Sequence, residues 1–168
     1  MIDTDQTIIC DHLEEILTNA VWQTIKEPSI FTGLSLWDPE NQPLPVITIL
    51  PRIEKALGKR YGKVQVELPV EITALVPLDK GQSAMIGVVV AEEIAMHIFR
   101  AKEHNWGEFP ESLDDIDYSD GGIIDYPDEL NPQMVSCGIT INVKYTKTPF
   151  PYTFKASVGN FAVKESLK

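Results

Sequence analysis

The chain lacks any apolar run approaching the roughly 20 residues that a membrane helix needs. Its first residues, Met1-Ile2-Asp3-Thr4-Asp5, are acidic and lack the basic-then-apolar order of a secretory signal. Cysteine is scarce: Cys10 and Cys137 lie far apart and suggest no disulfide framework. The expectation is synthesis in a reducing cytoplasm, with no membrane partner. A phosphate loop, a dinucleotide fingerprint, a nucleophile elbow, CxxC and HExxH are all absent. No catalytic residue, cofactor or metal is therefore expected. Positive charge is also in short supply, with 14 Lys and Arg against 25 Asp and Glu, a formal net charge of −11. That balance argues against a general binder of nucleic acid or anionic membranes. It leaves room for a protein that must let DNA slide past without holding it.

What the chain does have is enough apolar sequence for one ordinary domain. It has 168 residues, 43% apolar and 23% charged, a globular profile rather than a disordered one. Residues 62–77 organise the rest. Val64, Val66, Leu68, Val70, Ile72, Ala74 and Val76 alternate with Gln65, Glu67, Pro69, Glu71, Thr73 and Leu75. Strict period two is the mark of a strand with one buried and one wet face. Pro69 cannot donate to a ladder, so an edge position, or a bend between two shorter strands, is expected. Residues 135–145 form a second such strand. Val135, Cys137, Ile139, Ile141, Val143 and Tyr145 alternate with Ser136, Gly138, Thr140, Asn142 and Lys144. Thr73 and Thr140, on the wet parity, should accept charge.

Two helices are expected to cover the buried face. Residues 4 to about 25 carry Ile9, Leu13, Ile16, Leu17 and Ala20 at helical spacing, with Thr4 or Asp5 as cap. Residues 82–100 carry the row Ile86, Val90, Ile94 and Ile98, capped by Asp79 with Gln82 or by Ser83. Glu93 and His97 are spaced i,i+4. Glu93 falls near the side opposite the apolar row, and without a third ligand at recognisable spacing the two read as a helix-surface pair rather than a metal site. Short strands are expected over residues 31–37 and 46–50, the latter fenced by Pro45 and Pro51. The fold class is therefore α+β, a single domain with two main helices on a mostly antiparallel or mixed sheet of about four strands. The domain spans 1–148, with an acidic loop at 101–132, and 149–168 forms a C-terminal tail or arm.

Charge is segregated along the chain. Residues 52–63 hold Arg52, Lys55, Lys59, Arg60 and Lys63 against the single acid Glu54. Such a run is a solvated turn or a contact patch for something acidic. Between Glu103 and Glu129 there are ten acids and no Lys or Arg, with Asp114, Asp115, Asp117 and Asp120 at the centre. A calcium loop starting at Asp115 fails on register, since Asp120 stands where glycine is needed and Tyr126 where glutamate is. A long loop inside a small domain is usually functional. The bases and acids named here are the candidate subunit interface, acidic loop to basic turn. The alternative is a small adaptor domain that engages a basic or metal-bearing partner through the acidic loop.

The order is helix, short strand, long strand, helix, acidic segment, final strand. It runs from the Leu13–Ala20 segment through Pro45-Val46-Ile47-Thr48-Ile49 and Leu68-Pro69-Val70-Glu71-Ile72. It continues through Ala91-Glu92-Glu93-Ile94 to Ile139-Thr140-Ile141-Asn142-Val143-Lys144-Tyr145. This resembles the tail terminator (tail completion, minor tail protein U-like) family of long-tailed bacteriophages and prophages, over roughly residues 5–147. The acidic segment and the stretch after Thr148 have no counterpart in that pattern. The resemblance implies a structural protein without chemistry that forms a ring, usually hexameric. Such a ring caps the finished tail tube and joins it to the head. Its partners would be its own copies, the tail-tube protein and head–tail connector proteins, with DNA only as passing cargo. Its place would be the virion tail, after assembly in the bacterial host cytoplasm.

Overall fold

The computed structural model describes residues 4–33, 43–104, 113–128 and 133–147. Helix α1 (Asp5–Asn19) opens on a capping box. Thr4 Oγ1 accepts from the Thr7 amide at 3.2 Å, and Thr7 Oγ1 accepts from the Thr4 amide at 2.8 Å. Ile9, Cys10, Leu13 and Leu17 form its buried stripe. The helix stops six residues short of the expected 25. Trp22 Nε1 donates to the Leu17 carbonyl at 3.1 Å, satisfying a last-turn acceptor from outside the helix. The connection then leads to strand β1 (Ser29–Thr32), which lies earlier than the expected 31–37. Trp37 lies outside the described residues.

Strands β2 (Val46–Pro51), β3 (Lys55–Arg60) and β4 (Lys63–Pro77) precede helix α2 (Ile86–His104). Strands β5 (Leu113–Asp125) and β6 (Met134–Lys147) follow it. Among the described residues the result is two helices and one mixed sheet of six strands, two more than expected. Its order is β1-β2-β4-β6-β5, and β3 also pairs with β4. Only β1 and β2 run parallel; the remaining pairs are antiparallel.

The two long strands pair along their whole lengths, and their buried parities coincide. Leu68 faces Val143, Val70 faces Ile141, Ile72 faces Ile139 and Ala74 faces Cys137. Val90, Ala91, Ile94 and Ile98 of α2 and the α1 stripe pack into the same core. Each such fully buried aliphatic side chain is worth roughly 1.5–3 kcal/mol against exposure. Gly138 is the exception on β6 that the close pairing requires. A Cβ there would lie 2.1 Å from the Ile72 carbonyl oxygen.

Three expectations are corrected. Strand β4 is central, not an edge, and it does not bend into two. Pro69 is tolerated because of where its nitrogen points. Its carbonyl accepts from the Arg52 amide at 2.8 Å, and the nitrogen of the same residue faces the same side. On that side the ladder is interrupted, since β2 ends opposite Val70 and β3 starts opposite Glu67. The missing donor therefore falls in a gap. The basic stretch is not a simple turn. It contains strand β3, which joins β4 in a hairpin through Tyr61 (φ 51°) and Gly62 (φ 73°). Two successive positive φ values give the two-residue turn whose twist matches flanking strands. The acidic segment, expected as a loop over 101–132, holds strand β5 at its centre. Three register shifts break its period, and only Ile116 is buried along it, so alternation is weak there. The 149–168 tail lies outside the described residues.

Candidate subunit-contact surfaces

The helices cover one face of the sheet. The other face carries the wet parity of β4 and β6 and no helix among the described residues. Register places β5 side chains on it as well. Asp115 lies opposite Lys144, Asp117 opposite Asn142, Asp120 opposite Thr140 and Asp125 opposite Ser136. Cross-strand partners share a face. What looked like an acidic loop is thus an acidic band along one margin of a polar sheet face.

Neutral donors and one lysine meet part of this band. Asp114 Oδ2 accepts from Thr146 Oγ1 at 2.9 Å and from Gln65 Nε2 at 3.3 Å. Lys144 Nζ lies 2.6 Å from Asp117 Oδ2. The Asp115 carboxylate turns back to accept from the Ile116 amide at 2.8 Å. Among the described residues, Asp120 accepts only a long bond from Ser119, at 3.4 Å.

The bases lie on the other side of β4. Arg52, at the gap beside Pro69, pairs with Glu71 at 2.6 Å. Lys55, Lys59, Arg60 and Lys63 form no ion pair with an acid among the described residues. Arg60 stacks instead over the Tyr61 ring, 5.3 Å from its centroid. Every residue of β3 is exposed, so the hairpin projects beyond the helix-covered core. Strand β3 is three strand spacings from β5, about 14 Å, whereas the Debye length in physiological salt is about 8 Å. The structure therefore does not bring the nine candidate residues together within one chain. Asp114 comes nearest, sharing an open hollow of about 580 Å³ with Lys59, Arg60 and Lys63.

Two carboxylates outside the candidate set hold this arrangement. Glu54 fills the gap between β2 and β3, where it accepts from Tyr145 Oη, from Lys147 Nζ and from Gln6 Nε2. Burial raises its pKa, but these three donors outweigh that and hold it below the ordinary 4.5. Glu93 of α2, expected on the helix surface, is instead buried, 6% exposed, because its partners come from the α1–β1 connection. Its oxygens accept the Gln23 amide at 2.5 Å and the Thr24 amide at 2.9 Å, fixing the α1–β1 connection. His97 Nε2 lies 3.5 Å from Glu93 Oε1 without hydrogen-bond geometry, and the ring packs edge-on against Trp22 at 4.8 Å. Among the described residues no group of three His, Cys, Asp or Glu could hold a metal ion.

For Glu93, burial again raises the pKa, and the Thr24 and Gln23 hydrogen bonds and His97 more than reverse it. A carboxylate with a depressed folded pKa stabilises above its unfolded value of about 4.5, and that stability fades as pH falls through the folded pKa. Glu93→Gln should therefore cost about 1–3 kcal/mol at pH 7. In urea titrations the deficit should shrink steadily below pH 4. A deficit that is the same at pH 7 and pH 3 would mean that the charge does not matter here.

Both cysteines are buried and free, and burial pushes their thiols up to about 11 for Cys10 and about 12 for Cys137. Neither is poised as a nucleophile. No helix is long and apolar enough to cross a membrane among the described residues. No protein-family model matches the chain, and no curated protein matches it.

Sequence reasoning missed the apolar residues that accompany the charges. Ile53, Leu57 and Tyr61 along the projecting β3 hairpin, the basic arm of the sheet, are 82%, 50% and 90% exposed, and Tyr118 on β5 is 53% exposed. One signal was available. Asp115-Ile116-Asp117-Tyr118 alternates as a strand does, and Tyr61-Gly62 sits between two chargeable runs as a hairpin turn does.

Proposed function

We propose that this chain is a structural assembly protein of the tail-terminator kind. Its copies join head to tail into a ring that closes a tail tube, connects it to the head and lets DNA pass. The order of helices and strands that carries the resemblance is part of the support. The observation that carries the reading is charge segregation that Lys144 at Asp117 neutralises only in part. Lys55, Lys59, Arg60 and Lys63 lack ion pairs among the described residues, and the acidic band lies on the far margin of the same sheet. Asp114 apart, the two complementary surfaces stay separate within one chain and can meet between chains. Such a contact is heterologous, and repeating it gives a ring or a filament.

Light scattering over a range of concentrations tests the reading, followed by negative-stain imaging. The expected species is a closed ring several times the 18.8 kDa chain mass, six copies if the resemblance holds in full. Genes for tail-tube and head-completion proteins beside its own are the matching genomic expectation. A protein that stays monomeric at every concentration and with tail tubes present would end this reading. Capture of a basic partner by such a monomer would favour an adaptor domain instead.

A further inference from the structure

We infer that the β3 margin of one copy seats along the β5 margin of a second copy, through side chains rather than a shared backbone ladder. This rests on the assembly reading above and gives it an address. The argument starts with direction. Strand β3 is antiparallel to β4, β4 to β6 and β6 to β5, so β3 and β5 run in opposite senses. A rotation about an axis along the strands preserves those senses. The two margins therefore meet antiparallel when copies repeat around such an axis.

The chemistry of the two margins matches in two respects. Lys55, Lys59, Arg60 and Lys63 lie along the first, and Asp117 and Asp120 along the second, while Asp114 turns inward to Thr146 and Gln65. Each margin also carries exposed apolar side chains, Ile53, Leu57 and Tyr61 on one and Tyr118 on the other. A Cβ at Gly121 would lie 2.5 Å from the Tyr118 hydroxyl, so the ring extends over a position that glycine keeps bare. An exposed tyrosine, with only two side-chain torsions to order, is a usual kind of anchor at a contact. The margin is at the same time blunted against strand addition. Asp115 occupies the Ile116 amide, and the register shifts at 113/115 and 118/120 interrupt a regular ladder. Side chains are what a neighbour meets there.

The test uses the whole chain and leaves the charges alone. Tyr61→Ala and Tyr118→Ala both replace exposed side chains, so melting temperature should hardly move. Each should weaken assembly about tenfold or more, the loss expected for an aromatic anchor, and the loss should persist in high salt. Zero-length carbodiimide coupling of mixed heavy- and light-isotope copies should join peptides containing Lys55, Lys59 or Lys63 to Asp117 or Asp120. Those links should connect a heavy to a light copy. Rings that form with undiminished strength in both variants, with coupling elsewhere, overturn this contact and leave the ring reading standing. Absence of any assembly overturns both.

Discussion

Ile72→Asp and Ile141→Asp should each leave the chain unfolded at neutral pH. Both side chains are fully buried, on β4 and β6 respectively. Ile72 faces Ile139 and Ile141 faces Val70, within the one core that also takes up both helices. An aspartate there must bury an unpaired carboxylate or take up a proton, and it loses the aliphatic packing as well. The sum is several kcal/mol, comparable to the 5–15 kcal/mol of a whole domain. Thr140 lies on the opposite face between Glu71 of β4 and Asp120 of β5. Thr140→Asp should therefore cost up to about 1 kcal/mol through like-charge repulsion across the strands. Thr140→Lys should be neutral or slightly stabilising. Circular dichroism and urea titration read all four variants. Folded Ile72→Asp and Ile141→Asp proteins beside an unfolded Thr140→Lys would invert the register.

How much of this was legible follows from where one force dominates. In β4 and β6 burial acts on every second residue without interruption, so period two fixed both the strands and their inner faces. Strand β5 has Ile116 as its only buried residue, and register shifts reset its phase, so its acids masked it. Strand β3 has no buried residue at all and owes its existence to pairing with β4 and to the Tyr61-Gly62 turn. The position of Pro69 shows the limit of a rule applied to one strand alone. Whether a proline marks an edge depends on the neighbour's ladder, and here the neighbour is two strands with a gap at Pro69. Glu93 was visible as half of an i,i+4 pair. Its actual partners, the amides of Gln23 and Thr24, lie about 70 positions away in the chain and follow no spacing. The candidate interface residues were identifiable as charges. Their separation onto two margins of one sheet is tertiary information.

Lys59→Glu with Arg60→Glu should abolish self-assembly at physiological salt. Asp120→Lys with Asp125→Lys should do the same. Asp114 and Asp117 are left alone because Thr146 and Gln65 donate to the first and Lys144 pairs with the second at 2.6 Å, so their loss would disturb the monomer. In the first variant an acidic arm meets an acidic β5, and in the second a basic arm meets a basic one. Like charges placed against each other at a contact cost several kcal/mol, on the order of a hundredfold or more in Kd. Mixing the two variants reverses the outcome. The acidic arm of the first fits the basic β5 of the second, and the basic arm of the second fits the unchanged acidic β5 of the first. Every contact is then attractive, provided the two variants alternate. A closed ring that alternates contains an even number of copies in equal amounts, which native mass spectrometry reads directly. Wild-type assembly should weaken as salt shortens the Debye length below its physiological value of about 8 Å, while the monomer stays folded. Variants that each assemble like wild type at every salt concentration would show that the segregated charges are only a solvated surface.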